Sequence, residues 1–158
     1  PATARYRYCL MHNGAPVAAA TFSNPRGITR NRMMYRSYEL IRFCSVLGST
    51  VIGGLDKLLQ HFIRHHHPDD IMTYADRDWG EGKAYLSMGF DAVETTDPVL
   101  FIVEPITWQR LFPGRLQRYL RANGWKPEKN VSPAAFLREK GYGMSFNAGN
   151  VKYVKLLK

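Results

Sequence analysis

Val51-Ile52-Gly53-Gly54-Leu55-Asp56-Lys57-Leu58-Leu59-Gln60-His61-Phe62-Ile63-Arg64-His65-His66-His67-Pro68 is the stretch whose reading decides the architecture. Leu55, Leu58, Leu59, Phe62 and Ile63 recur at i, i+3, i+4, i+7 and i+8, which places all of them on one face of a helix. Asp56 lies in the first turn and Arg64-His65-His66-His67 at the end, so both ends match the helix dipole. Pro68 cannot continue the helix. Ahead of it, Leu47-Gly48-Ser49-Thr50 leads into paired glycines that permit unusual φ values and a close backbone approach.

Apolar, strand-like runs flank this helix: Tyr38–Cys44 before it and Ile71-Met72-Thr73-Tyr74-Ala75-Asp76 after it. Gly82–Met88 reads as a short helix closed by Gly89, Phe90 opens a further strand, and Val99–Val103 reads as a last core strand ended by Pro105. Alternating strands and helices predict a mixed α/β layer architecture, with a central sheet flanked by helices. Upstream, Tyr6–Leu10 and Val17–Phe22 surround Asn13-Gly14, a strong hairpin signal. Ser23-Asn24-Pro25-Arg26-Gly27 breaks the chain after it. Downstream, Leu116, Tyr119 and Leu120 form a helical stripe, with Arg115, Arg118 and Arg121 on the other side. Ser132-Pro133 starts another helix and Gly141 stops it. Tyr142–Phe146 and Val151–Leu157 around Asn147-Ala148-Gly149-Asn150 suggest a second hairpin. The expected division is a core over 1–104 and a basic helical and hairpin extension over 105–158, packed on that core.

The chain has 158 residues, 45% of them hydrophobic, which is one domain's worth of packed core. No run of about 18 apolar residues occurs, so no membrane-spanning helix is expected, and Pro1–Arg5 offers no apolar signal region. Two cysteines, Cys9 and Cys44, cannot build a disulfide framework or a cysteine zinc site, and buried free thiols in a reducing compartment are expected. His65-His66-His67 points three consecutive side chains in different directions, so it reads as a helix end rather than a metal site. The net charge of +9 is unevenly spread. Residues 1–50 carry seven Lys/Arg and one acid, 51–104 carry four and ten, and 105–158 carry eleven and two. Cations interleave with aromatics at Arg5-Tyr6-Arg7-Tyr8, at Arg30, Arg32, Tyr35 and Arg36, and at Arg115, Arg118, Tyr119 and Arg121. Phosphates pair with such cations and bases stack on such aromatics, so nucleic acid is the natural partner class.

A helix N-terminus opened by glycines presents unpaired N–H groups to an anion such as a pyrophosphate. Asp76 ends a strand, and in open α/β sheets sites gather at the carboxyl ends of strands. It is a candidate base or amine-orienting group, with Glu39 as its rival and Arg42 as a partner for Glu39. Trp79 follows close by, read as a core cap or a base-stacking ring.

Three blocks in Tyr38–Phe90 resemble the GNAT acyltransferase superfamily. They are the strand Glu39-Leu40-Ile41-Arg42-Phe43-Cys44-Ser45, the glycine loop and helix Val51–Leu59, and Ala84-Tyr85-Leu86-Ser87-Met88-Gly89-Phe90, which is similar to the family's tyrosine-bearing Y-x-x-x-G-F block. Against the family's Gln/Arg-x-x-Gly-x-Gly/Ala loop, only Gly53 matches; Thr50 and Leu55 depart. Glu39-Leu40-x-Arg42-Phe43 and Thr73-Tyr74-Ala75-Asp76 are similar to blocks of the phage Mom proteins, which modify adenines in DNA. The resemblance implies a GNAT-like fold and an acetyl-CoA or other acyl-CoA-like donor, held by Phe43, Cys44, Ser45, Gly53, Gly54 and Leu55. It implies Tyr85 as the proton donor to the departing thiolate, Asp76 or Glu39 acting on the nucleophile, and no metal. The implied function is a transferase that modifies DNA in the cytoplasm of a bacterial host. Two alternatives stand beside it: an N-acetyltransferase of a protein or small amine, and an inactive GNAT-like domain that only binds nucleic acid. In the nucleic-acid readings the contacts come from Arg30, Arg32, Arg36, Arg115, Arg118 and Arg121.

Overall fold

A computed structural model describes residues 3–158; Pro1 and Ala2, part of the start read above for a signal, lie outside them. The chain is mixed α/β with a mostly sheet core, and it divides into two compact units, residues 1–95 with 151–158, and residues 96–150.

The first unit is built on β1 (Ala4–His12), β2 (Ala15–Ser23), β3 (Arg26–Arg30) and β4 (Met33–Ser45). Helix α1 (Gly54–His66), β5 (Asp70–Asp76), α2 (Lys83–Ser87) and β6 (Asp91–Thr95) follow. The expected hairpin at Asn13-Gly14 is present, with β1 and β2 antiparallel and Asn13 and Gly14 both at positive φ. A second hairpin escapes the sequence reading. β3 and β4 pair through Asn31 and Arg32, whose φ values of 48° and 64° suit a tight two-residue turn. Arginine at the second turn position conceals a signal that glycine would have made plain. The long β4 pairs with β3 over its first part and β2 over its last, while β5 lies parallel to it after the α1 crossover.

In the second unit, β7 (Leu100–Val103), β8 (Arg110–Leu111) and β9 (Gly143–Phe146) form a separate three-stranded sheet in the order β8-β7-β9. It carries α3 (Leu116–Ala122) and α4 (Pro133–Glu139). The last strand, β10 (Asn150–Leu156), returns to the first sheet, whose order is β1-β2-β4-β5-β10-β6. Two expectations change here. Val99–Val103 belongs to the second unit rather than the first sheet, and the units part at 95/96 and 150/151 rather than at 104/105. The expected hairpin of Tyr142–Phe146 with Val151–Leu157 does not form, because β9 pairs with β7 and β10 pairs with β6. Asn147-Ala148-Gly149-Asn150 is instead a crossover held side by side with the entering chain. Asn147 Oδ1 accepts from the Val99 N–H at 2.6 Å, and the Thr96 N–H donates to the Asn150 carbonyl at 2.8 Å.

The first core gathers Phe22, Tyr38, Leu40, Leu58, Leu59, Phe62, Ile71, Phe90 and Tyr153. Phe62 stacks on Phe22 with ring centroids 3.9 Å apart. The second core gathers Ile102, Leu111, Leu116, Leu120 and Leu137. There the Tyr119 and Tyr142 hydroxyls lie 2.8 Å apart, and burial with that bond pushes the Tyr142 pKa up to about 12. Ser132 caps α4 as expected, accepting from the Ala135 N–H at 3.2 Å. Ser132→Ala should cost about 1 kcal/mol, read as a lowered urea midpoint with unchanged slope. Cys9 and Cys44 are exposed rather than buried, since each falls on the strand face opposite the core. Among the described residues no helix is long and apolar enough to cross a membrane, and no group of His, Cys, Asp or Glu is arranged to hold a metal.

Candidate functional site

The ladder between β4 and β5 is short. It covers Ser37–Glu39 against Asp70–Met72, and Thr73 Oγ1 then donates to the Leu40 carbonyl at 2.9 Å. Beyond that point β4 runs on to Ser45 and β5 to Asp76 without further register. β4 also carries an extra residue against β2, between the pairs Thr21–Arg42 and Phe22–Leu40, which bends it locally. A cleft of about 670 Å³ is lined by Phe43, Gly53, Gly54, Leu55, Asp56 and Tyr85, among others.

The two glycines serve different ends. Gly53 is the N-cap of α1 at φ 69°, a conformation that strains any residue with a Cβ, and the space around it is open. Gly54 is needed for room, because a Cβ there would stand 2.8 Å from Val51 Cγ1. Within the turn, the Gly54 N–H donates to the Val51 carbonyl at 3.0 Å and the Lys57 N–H to the Gly53 carbonyl at 2.9 Å. The Leu55 and Asp56 amides fall in the first turn, where a helix has no internal acceptor for them. A second cavity of about 530 Å³ flanks the same turn, lined by Leu10, Thr50, Ile52 and Lys57 among others. Lys57 therefore supplies a cation on one side of the turn, and Asp56 a carboxylate on the other.

Tyr85 reaches the cleft from α2, a helix of five residues. A helix that short does not hold itself together. β10 holds it at both ends. The Tyr153 hydroxyl donates to the Glu81 carbonyl at 2.5 Å, and Lys155 Nζ donates to the Met88 carbonyl at 2.5 Å. Gly82, at φ 67°, leaves no room for a Cβ, which would lie 2.7 Å from the Tyr153 ring. The Tyr85 ring packs between Phe90 and Tyr153, with centroids 5.7 and 5.4 Å away. Tyr153 and Lys155 are thus positioning residues that the sequence reading missed. No local signal links them to a helix some seventy positions earlier.

Of the expected donor-binding residues, Phe43, Gly53, Gly54 and Leu55 share the cleft with Tyr85, while Cys44 and Ser45 do not line it. Ser45 Oγ instead donates to the Ser49 carbonyl at 3.1 Å and ties the loop. Asp76 is exposed at the end of β5, where Oδ1 accepts from the Asp78 N–H at 3.0 Å, forming a turn cap outside the cleft lining. Glu39 alternates with the core residues Tyr38 and Leu40, so it faces the other side of the sheet. Its partner is Arg26 at 2.5 Å, not Arg42. Trp79 does not cap the core; it is 91% exposed.

The expected arginines divide in two. Arg30 is turned inward onto Asp70, with Nε 2.7 Å from Oδ2, and Asp70 is completely buried. Arg36 closes the end of α1: its guanidinium donates to the His66 carbonyl at 2.7 Å and to the His67 carbonyl. These two hold the fold, although Arg36 is exposed. Arg32, Arg115, Arg118 and Arg121 are exposed as well. The histidine run also serves the fold, with the Tyr8 hydroxyl 2.6 Å from His66 Nε2. Burial, with His65 and Arg36 nearby, holds the His66 pKa below the ordinary imidazole value.

No protein-family model and no curated protein matches this sequence.

Proposed function

We propose that the first unit is a GNAT-like transferase domain using an acyl-CoA-type donor, and that the acceptor is nucleic acid, as a Mom-like modification of DNA bases. The supporting observation is convergence. Phe43, Gly53, Gly54, Leu55 and Tyr85 come from a strand, a loop and two helices, yet all line one cleft. The open backbone at Gly53 and the first-turn amides suit a pyrophosphate, with Lys57 close to the same turn. The donor supplies an activated acyl group when bound. Tyr85 is the group on the cleft wall that can protonate a leaving thiolate. Asp56 takes the part expected of Asp76 or Glu39, as the carboxylate in the cleft that can orient an acceptor amine. Arg32 in the first unit, and separately Arg115, Arg118 and Arg121 in the second, are exposed cations that suit phosphate in this reading.

A second reading, a nucleic-acid-binding domain without turnover, is favoured by the placement of Asp76 and Glu39 outside the cleft. Two measurements separate them. Calorimetry with acetyl-CoA tests the donor site, and absence of binding at millimolar ligand removes the ordinary acetyltransferase. Mass spectrometry of nucleosides from DNA of cells making the protein tests the reaction. A new nucleoside whose yield falls about a hundredfold in Tyr85→Phe is the expected result; an undiminished yield removes Tyr85 from the chemistry.

A further inference from the structure

The loop Glu104–Gln109 joins β7 to β8, and it is tightly determined. The Glu104 N–H donates to the Gln109 carbonyl at 3.0 Å, and the Trp108 N–H donates to the Glu104 carbonyl at 3.0 Å. Glu104 Oε2 accepts from the Ile106 N–H at 3.1 Å and from the Thr107 N–H and hydroxyl at 2.5 and 2.6 Å. These bonds hold its carboxyl below the usual range, so its charge is satisfied by the loop.

At the end of this loop stands Trp108, with φ 58° and 77% of its surface exposed. A bulky residue rarely adopts that conformation, and glycine is the ordinary occupant. Strain retained in a well-determined loop points to a use for the side chain. The neighbouring sheet face agrees. Ile102 and Leu111 pair with each other and face the core, so the next row, Arg110, Val103 and Gly143, faces away from it. A cleft of about 540 Å³ lies there, lined by Val103, Trp108, Arg110, Gly143 and Ser145 among others. Gly143 adds no side chain to its floor. Phe101 continues the same face about 7 Å along β7, and its ring meets the half-exposed Phe112 at 5.8 Å. The unit carries eight Lys/Arg against four Asp/Glu, so the surroundings suit a polyanion.

We propose that this cleft holds an unstacked base of single-stranded nucleic acid, stacked on Trp108 with Arg110 on its phosphate. Aromatic rings beside a guanidinium on an exposed sheet face suit such binding, because every base has a π-face and every nucleotide a charge. The inference rests on the nucleic-acid half of the proposed function and is independent of the donor cleft.

The test is anisotropy of a labelled single-stranded oligothymidylate, and of a duplex of the same length, titrated with the full chain over a salt series. Tighter binding of the single strand is expected. Trp108→Gly should weaken it about tenfold or more, while the thermal midpoint holds or rises because glycine relieves the strained φ. Arg110→Ala should also weaken binding and flatten the salt dependence. Unchanged single-strand affinity in Trp108→Gly overturns the inference and leaves the proposed function standing. No oligonucleotide binding of either kind overturns both this and the nucleic-acid half of that function. Trp108-dependent binding without any acetyl-CoA binding supports this site and removes the acetyl-CoA-dependent transferase alone.

Discussion

Arg30→Ala should lose about 3–5 kcal/mol of stability, because it leaves the Asp70 carboxylate buried and without its cation. Asp70 is completely buried and Arg30 only 23% exposed, so its carboxylate depends on the guanidinium rather than on bulk solvent. Ser37, also fully buried, stands in register with Asp70 and gives it no compensating bond. The loss is read by urea unfolding as a lower midpoint. The double variant Arg30→Met with Asp70→Leu should recover most of it, since replacing both members of a buried pair by apolar residues is often neutral or stabilising. The same double variant tests the sequence reading of Arg30 as a phosphate contact. If Arg30 holds only the fold, the recovered protein binds nucleic acid at the parental affinity. A single variant within about 1 kcal/mol of the parent would show that the pair is not the internal anchor described above.

Phe62→Ala is the second large effect, with an expected cost of about 3–5 kcal/mol. The ring is fully buried and stacks on Phe22, and it meets Tyr6, Tyr38 and His66 at centroid distances of 5.8, 5.2 and 4.5 Å. Those partners come from β1, β2, β4 and α1 itself, so no single neighbour can collapse to fill the space. A domain typically holds about 5–15 kcal/mol in total, so the variant should unfold at markedly lower urea and temperature. It should also weaken donor binding in the proposed cleft, because α1, seated through Phe62, begins at the Gly53–Gly54 turn. A loss below about 1.5 kcal/mol would mean that the aromatic cluster repacks freely.

Much of the cleft was legible residue by residue. The apolar spacing from Leu55 to Ile63 marks α1, the paired glycines mark its start, and Gly89 closes α2 at φ 78°. Each of these signals lies within a turn or two of the residue it governs. The failures have one character. Glu39 was given Arg42, three residues on, whereas its partner Arg26 is thirteen residues back on β3. Arg30 reads as a surface cation because its partner Asp70 is distant in the chain, and Arg36, which is at the surface, also spends its donors on the end of α1. Asn147–Asn150 read as a hairpin turn because β9 and β10 are neighbours in sequence, although they pair in different sheets.

By itself the sequence determined the helical stripes, the ends of α1, α2 and α4, the Asn13-Gly14 hairpin, the uneven charge and the glycine turn before Leu55. Those features depend on φ, on side-chain period and on charge within a few residues, and all of these can be read along the chain. The tertiary structure alone decided which strands adjoin beyond that hairpin, that Arg30 is neutralised inside the fold, and that β10 holds the five-residue helix bearing Tyr85. Sheet pairing and buried ion pairs are chosen among many distant candidates by how well the whole core closes, and no local stretch contains that information.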